Sequence, residues 1–597
     1  MSNHAFFLRF PAITAVKLPG NQMFRVYTMK KLSVVVLLIL PAALVLTAAL
    51  FHYAQGPYWI SYNSDPEYLY LLNSLALTEF RQTGTTGNPG TTLQILGAIT
   101  LKISHALNLS GKDSLVFAVL RNPEYYLAVI NIVLVTLNAL LLFVLGLVTF
   151  HFTKSIWLSL LLQLSPFLSD AMLTNGLPRV SPEPLLLFTG LLFVWTLLTM
   201  AYDNTVSKSS HWYMIILALI SGFGAATKLT FIPLLIIPLL VLPKWRHKIG
   251  FFFLTGLSFV LWTWPVASQY KALLSWYYKI LTHTGYYGLG TPGITDAGIY
   301  LQNIMNMFLR NPLFFLILFL SAGFVLMFGL PFSGKEKATK INPWQDIFFR
   351  ILAAVTSAQL LAVLIVAKHY TDRYLLPVMS LSGFMLFLVF AYLRRVDYFS
   401  RVNMKKLAVI VGMMLVIGGA WRIVGIKNIF IQNLHIREEA LAVNQILENE
   451  YKDYLKISIY RCSSPICALA FGNFYVNNAL YSEALQKIYG DAYFFNGLNN
   501  GANGSFHTWT RVFPMDNIIL SGHKDKIILQ GSPPRYLGDT IASRAGLMLN
   551  LRDLFGGEYE TIYAIAGFKI THETRRPLRS EILETTDFDF STHPRQR

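Results

Sequence analysis

Apolar and polar stretches alternate along this chain on the scale of whole helices. Runs near the length that crosses a bilayer's hydrocarbon recur at about 32–52, 124–150, 154–171, 184–202, 212–227, 229–243, 250–268, 312–331, 347–367, 374–393 and 407–426. The 212–243 stretch is too long for one ordinary span, and both of its flanks are basic. It is therefore expected to go out and return, with Lys228 at the turn. The run at 92–108 is apolar but carries Lys102 and His105, and counting it as a span would invert every later loop. It reads as an interfacial or re-entrant helix. From about residue 427 the pattern turns soluble, with an amphipathic helix over 436–455 and strands at 456–460 and 526–529.

The expected fold is an α-helical polytopic membrane protein. About eleven spans over 32–426 precede an α/β domain at 427–570 and a polar tail at 571–597. Composition agrees: 54% of the 597 residues are hydrophobic and 13% charged, against about a quarter charged in soluble domains. The net charge of +18 would suggest nucleic acid in a soluble chain. Here the cations cluster instead in the N-terminus and in short loops, at Lys154, Lys208, Lys244/Arg246/Lys248, Lys335/Lys337/Lys340 and the 394–406 segment. All fall on one side of the scheme, which is the cytoplasmic side. Membrane lipids, not nucleic acid, are then the expected electrostatic partners.

That sidedness makes residues 1–31 a cytoplasmic N-terminus ahead of an uncleaved anchor, and it puts the C-terminal domain outside. Two long outer loops result, at about 53–123 and 269–311, which suggests work done on the outer face. Only two cysteines occur. Cys462 and Cys467 are five residues apart and are expected to form a small disulfide in an oxidising compartment.

Candidate chemistry concentrates in the outer loops. Asp65 and Glu67 open the segment Ser64-Asp65-Pro66-Glu67-Tyr68, where an acid followed by proline starts a helix well. Either acid could also act as a general base at the membrane surface. The loop continues from Arg81 to Thr92 through a Gly- and Thr-rich stretch whose amides and hydroxyls suit a phosphate or a sugar. Arg179 and Glu183 open the fourth span with the same cap-then-proline grammar, and Arg179 could meet Glu183 or an anionic headgroup. Lys228, set among apolar residues, is either paired for function or snorkelling. Lys368, His369, Asp372 and Arg373 gather in one outer turn, and His283 lies in the second loop. Arg373 could grip a phosphate in the two-pronged way lysine cannot.

Taken in order, several of these motifs resemble the GT-C superfamily of integral-membrane glycosyltransferases, including the protein mannosyltransferases and the lipid A aminoarabinose transferases. They are the acid-containing loop motif, Pro89-Gly90-Thr91, Arg179-Val-Ser-Pro-Glu-Pro184, Thr227-Lys228-Leu229-Thr230 and Arg373-Tyr-Leu-Leu-Pro377. The resemblance covers about residues 30–395. It implies an envelope enzyme of the bacterial inner membrane that takes sugar from a polyprenyl-phosphate-linked donor to an acceptor on the outer face. It also implies that Asp65, with Glu67 beside it, supplies the base, and that Lys228 and Arg373 hold the donor phosphate, with Arg179 and Arg81 as further candidates. Some members carry a divalent metal and others do not, so the cofactor stays open. Two other readings are a transporter or flippase for an anionic lipid or saccharide and a non-catalytic assembly subunit that kept the fold. The absence of a visible internal repeat weighs against the transporter.

Overall fold

A computed structural model describes residues 20–60, 64–84, 89–107, 113–203, 206–288, 290–329, 342–395, 404–459, 462–496, 505–513, 526–531, 547–556 and 561–570. The chain starts with α1 (Gly20–Gln55), then three shorter helices, α2 (Ser64–Thr78), α3 (Thr91–Leu107) and α4 (Leu115–Arg121). The long α5 (Pro123–Thr153) is followed by α6 (Ile156–Gln163), α7 (Pro182–Tyr202), α8 (Val206–Thr227), α9 (Ile236–Val241) and α10 (Trp245–Thr263). The second long loop holds α11 (Tyr270–Thr282) and α12 (Ala297–Arg310). After it come α13 (Pro312–Gly329), α14 (Ile347–Val366), the one-turn α15 (Leu376–Met379), α16 (Ser382–Arg395) and α17 (Met404–Asn449).

Among the described residues, nine helical stretches are long and apolar enough to cross a membrane. They match nine of the eleven runs read from the sequence. The other two runs are broken. The 154–171 run is α6 followed by a 3-10 turn at Ser165–Leu168 with Pro166 as its second residue, and a π-turn at Met172–Gly176 follows it. The 229–243 run is a 3-10 segment, Leu229–Leu235, that contains Pro233 and passes into the six-residue α9. Proline removes an amide donor and crowds the preceding turn, which is why both apolar runs leave regular α-helix. The 92–108 run is helical, as α3.

Sequence reading also separated a last span at 407–426 from a soluble helix at 436–455, and the structure joins them. No proline or glycine lies between 426 and 436 to stop the helix, so α17 runs 46 residues, about 70 Å at the rise of an α-helix. Its far end buries Val443 and Leu447 against Ile528 and Ile562 of a sheet. That sheet comprises β1 (Leu455–Ile459), β2 (Tyr493–Asn496), β3 (Ser505–His507), β4 (Val512–Phe513), β5 (Ile527–Gly531), β6 (Leu547–Gly556) and β7 (Thr561–Ile570), in the order β4-β3-β2-β1-β5-β7-β6. β1 pairs in parallel with both β2 and β5, with Ile457 opposite Tyr493 and Leu529, and the outer strands are antiparallel. The β1–β2 crossover carries α18 (Pro465–Phe474) and α19 (Ser482–Tyr489). The expected mixture of helices and strands is present.

Both cysteines of the expected Cys462–Cys467 disulfide are buried at the start of α18. Ser464 between them caps α18, its Oγ accepting the Cys467 amide at 3.1 Å, and the Cys462 sulfur turns to Ser464 Oγ at 3.7 Å.

The crossover helices pack on the first long loop. Tyr68, Leu72 and Leu75 of α2 share one core with Leu469, Tyr481, Leu485, Phe494 and Trp509. The backbones meet closely. A Cβ on Gly84 would stand 1.9 Å from the Tyr475 carbonyl oxygen, and one on Gly472 would stand 2.7 Å from that of Tyr68. Asn73 ties the joint, its Nδ2 donating to Tyr475 O at 3.2 Å while its Oδ1 accepts the Gly84 amide at 2.7 Å. Tyr481 OH donates to Glu79 at 3.2 Å and Tyr489 OH to Leu120 O at 2.7 Å. Because the atom met at Gly84 is backbone and cannot swing away, Gly84→Ala should cost about 1–3 kcal/mol, as overpacking does. Gly256→Ala, with open space around its Cβ, is the control. Thermal unfolding of both purified variants checks this, and equal midpoints would mean that the joint yields freely.

Candidate active site where three proline-started helices meet

Three helices begin with the same short grammar, a small polar or acidic residue followed by Pro-Glu. They are Asp65-Pro66-Glu67 in α2, Asn122-Pro123-Glu124 at α5 and Ser181-Pro182-Glu183 at α7. Proline fits a first turn because its missing amide has no intrahelical partner there, and a glutamate there faces the positive end of the helix dipole. What differs is the partner that each glutamate takes.

Glu67 is fully buried and is gripped by Arg179 in a two-pronged pair. Arg179 Nε meets Oε1, and Nη2 reaches Oε2 at 2.6 Å. Glu183 is buried with Lys228, whose Nζ lies 2.6 Å from Oε1. Lys228 also stands 5.2 Å from the centre of the Tyr374 ring, with the Arg373 guanidinium 5.9 Å from the same ring. Glu124 accepts the Tyr58 amide at 2.8 Å and the Tyr68 hydroxyl at 2.7 Å. Burial, with Glu67 and Glu124 close by, holds the Tyr58 phenol well above its ordinary value. Tyr58 and Tyr68 are therefore neutral at any physiological pH; the Tyr68 hydroxyl donates to Glu124, whereas the buried Tyr58 hydroxyl has no hydrogen-bond partner among the described residues.

The segment that carries Arg179 and Glu183 is held from several sides. Gln55 at the end of α1 donates to Thr174 O at 2.7 Å. From α5, Asn131 donates to Leu177 O at 3.0 Å and Asn138 to Pro184 O at 2.9 Å. Arg422 of α17 pairs with Asp170 just upstream, its Nε 2.7 Å from Oδ1. Such side-chain anchors satisfy a backbone that leaves regular helix inside an apolar bundle, where an unpaired carbonyl is costly. They also fix where the two charged side chains point.

No family model, curated protein or solved structure matches this chain. The assignment rests on the geometry and on the motifs themselves.

The structure brings together Glu67, Arg179, Glu183, Lys228 and Arg373 from among the residues singled out in the sequence. Asp65 lies in the first turn of α2, two residues before Glu67, and its side chain is outside the described residues. Arg81 is exposed at the far end of α2, beside the Glu79–Tyr481 contact, and so sits at the joint with α19 and away from the cluster. The remaining candidates fasten the second loop. Lys368 Nζ donates to Leu281 O at 2.9 Å, and His283 Nδ1 lies 2.9 Å from Thr282 Oγ1. His369 sits against Ile280, where burial and then the neighbouring Lys368 push its imidazole down to about 4. It is neutral near pH 7. Tyr374 OH donates to Tyr287 OH at 2.8 Å, which links this loop to the ring beside Lys228.

Among the described residues, no three His, Cys, Asp or Glu side chains gather in a way that could hold a metal ion. Glu124, Tyr58 and Tyr374 were not singled out from the sequence. Glu124 had a signal: it repeats the Pro-Glu helix start of the other two glutamates. The tyrosines had none, since 30 are scattered through the chain.

Proposed function

We propose that this protein is an inverting membrane glycosyltransferase that moves a sugar from a polyprenyl-phosphate-linked donor to an acceptor on the outer face. The observation that carries the reading is a pair of buried ion pairs, Glu67–Arg179 and Glu183–Lys228, whose Arg179 and Glu183 are four residues apart on one segment, with the exposed Arg373 beside the Tyr374 ring that Lys228 faces. These are the segments in which the resemblance to the GT-C superfamily was found. A lipid-linked donor reaches such a place sideways from the bilayer, with its phosphate at the cations and its sugar under the loop.

In this reading the acids divide their labour. Glu67 is committed to Arg179, so it positions that arginine, and Asp65 is the base. Asp65 takes the proton from an acceptor hydroxyl or amine. The acceptor's lone pair forms the new bond to the sugar's anomeric carbon from the face opposite the phosphate. The carbon–oxygen bond to phosphate breaks with its electron pair, and the polyprenyl phosphate leaves. Arg373 and Lys228 oppose the charge that grows on the departing oxygen, the preorganised electrostatic help that often dominates a barrier reduction. The packing of α18 on α2 gives the C-terminal region a role as a brace for the helix that carries Asp65.

The deciding experiment supplies purified protein in nanodiscs with polyprenyl phosphate carrying a radiolabelled sugar, plus a membrane extract as acceptor source. Loss of label from the lipid, dependent on the protein, is expected. Transbilayer movement of the intact lipid with the sugar still attached would replace this reading with a flippase.

A further inference from the structure

The second long loop turns its apolar side outward. α10, at 19 residues, is about 28 Å long at the rise of an α-helix, enough to fill the hydrocarbon by itself. Thr263, Val266 and Gln269 then leave helical φ/ψ, so α11 begins where that crossing ends. α13 starts the next crossing at Pro312, directly after α12. The loop between these crossings thus enters and leaves at one surface of the bilayer.

Neither helix hides an apolar face in the protein. α11 buries only Leu273 and α12 only Met307. On α11, Leu274, Tyr278 and Leu281 fall at i, i+4 and i+7 in one stripe, each 63–69% exposed. Lys271 and Lys279, both exposed, form the adjoining stripe. On α12, Leu301, Met305 and Phe308 repeat the apolar spacing and are exposed too. The Phe308 ring stands 5.6 Å from that of Phe315 and 6.4 Å from that of Phe319 on α13. The stripe therefore runs on into Leu316, Phe319 and Leu320, the exposed apolar side of a crossing helix.

The opposite sides of the loop are fastened to the protein. Tyr300 OH donates to Leu364 O and Asn303 Nδ2 to Ala367 O, both at 2.9 Å, which satisfies carbonyls at the end of α14. Trp276 packs 6.0 Å from the ring of Tyr287, whose hydroxyl accepts that of Tyr374. Charge then names the surface that fits the free side. Three cations and the single acid Asp296, which caps α12, leave segment 270–310 at +2. An exposed apolar stripe edged by lysines suits a helix lying in a lipid interface, with its ammonium groups reaching up to phosphates.

We infer that α11 and α12 form a docking surface for the adjoining leaflet, with a preference for anionic phospholipid. None of the residues assigned to sugar transfer takes part, so this surface stands or falls apart from that reading. Docking does reach the ion pairs indirectly. Tyr374, beside Lys228, is tied through Tyr287 to a loop that the membrane holds.

Full-length protein in nanodiscs, spin-labelled at Leu274→Cys, Leu281→Cys or Met305→Cys, tests the surface. Phe319→Cys on α13 is the lipid reference and Lys487→Cys on α19 the aqueous one. The parent, with Cys462 and Cys467 buried, is the blank. Labels at 274, 281 and 305 should be relaxed by oxygen, as at 319, and shielded from a water-soluble nickel chelate that reaches 487. In phosphatidylglycerol, Lys271→Gln and Lys279→Gln should each lower the lipid-to-water partition of the 274 label about fivefold. In phosphatidylcholine the same changes should do little. Because both lysines are exposed, unfolding midpoints should match the parent's, which separates lost docking from lost folding. Chelate access at 274, 281 and 305 equal to that at 487 overturns the docking. Shielding from both oxygen and chelate overturns it as well, and gives the stripe to another protein or a second copy. Equal lipid contact in both nanodiscs, whatever the lysines, strikes the anionic preference.

Discussion

Lys228→Met should destabilise the protein by about 3–5 kcal/mol, because it leaves the Glu183 carboxylate buried without its counter-charge. Glu183→Gln should cost a similar amount for the opposite reason, with the Lys228 ammonium stranded beside the Tyr374 ring. The double variant is the informative member of the set. With both charges gone, neither remaining group has a desolvated ion to neutralise, and stability should return to within about 1 kcal/mol of the parent, since buried pairs are often replaceable by neutral residues. That non-additivity, read from unfolding midpoints in one detergent, would measure the coupling of the pair. Transfer activity should not return with it if Lys228 opposes charge on the donor phosphate. Restored folding with lost activity separates the two roles. Recovery of both would reduce the pair to a strut between α7 and the end of α8.

Much of this was legible from the chain, and the limits have physical causes. Among the described residues, the nine helices long and apolar enough to cross a membrane could be read because hydrocarbon imposes one requirement on every residue of a run, and that requirement is local. The runs at 154–171 and 229–243 leave regular α-helix at Pro166 and Pro233, which act on backbone geometry that average apolarity does not register. The five residues could each be found, since charges beside long apolar runs are conspicuous. Their partners could not. Arg179 stood equally ready for Glu183, four residues away, or for a headgroup, and it takes Glu67, 112 residues away. Only the folded chain makes that choice. The same holds for the Asn73–Tyr475 contact across 402 residues, which makes the loop helices and the C-terminal crossover one packed body.

The two acids of α2 give the other large effect, and the structure changes what each substitution should do. Glu67→Gln breaks a fully buried two-pronged pair and leaves Arg179 short of its counter-charge, so it should cost about 3–5 kcal/mol of stability. Any activity lost with it should be recovered in part by Glu67→Gln combined with Arg179→Met, if the loss came only from a disturbed fold. Asp65→Asn is different. Asp65 lies in the first turn of α2, where a carboxylate is worth about 0.3–1 kcal/mol to the helix dipole, and the substitution should cost about that much. Asparagine cannot take up a proton as a carboxylate does. A general base contributes about 10²–10⁴-fold, and that factor should vanish from turnover while the unfolding midpoint barely moves. Asp65→Glu, which keeps a base of similar strength on a longer arm, should restore part of the rate. The pattern to look for is therefore crossed: stability lost at Glu67, catalysis lost at Asp65. If Asp65→Asn keeps full turnover on a labelled lipid donor while Glu67→Gln, corrected for its folded fraction, loses it, the base is Glu67 and Arg179 must release it during the cycle. If neither variant slows a folded enzyme, the acids are helix starts only, and the protein's chemistry lies elsewhere.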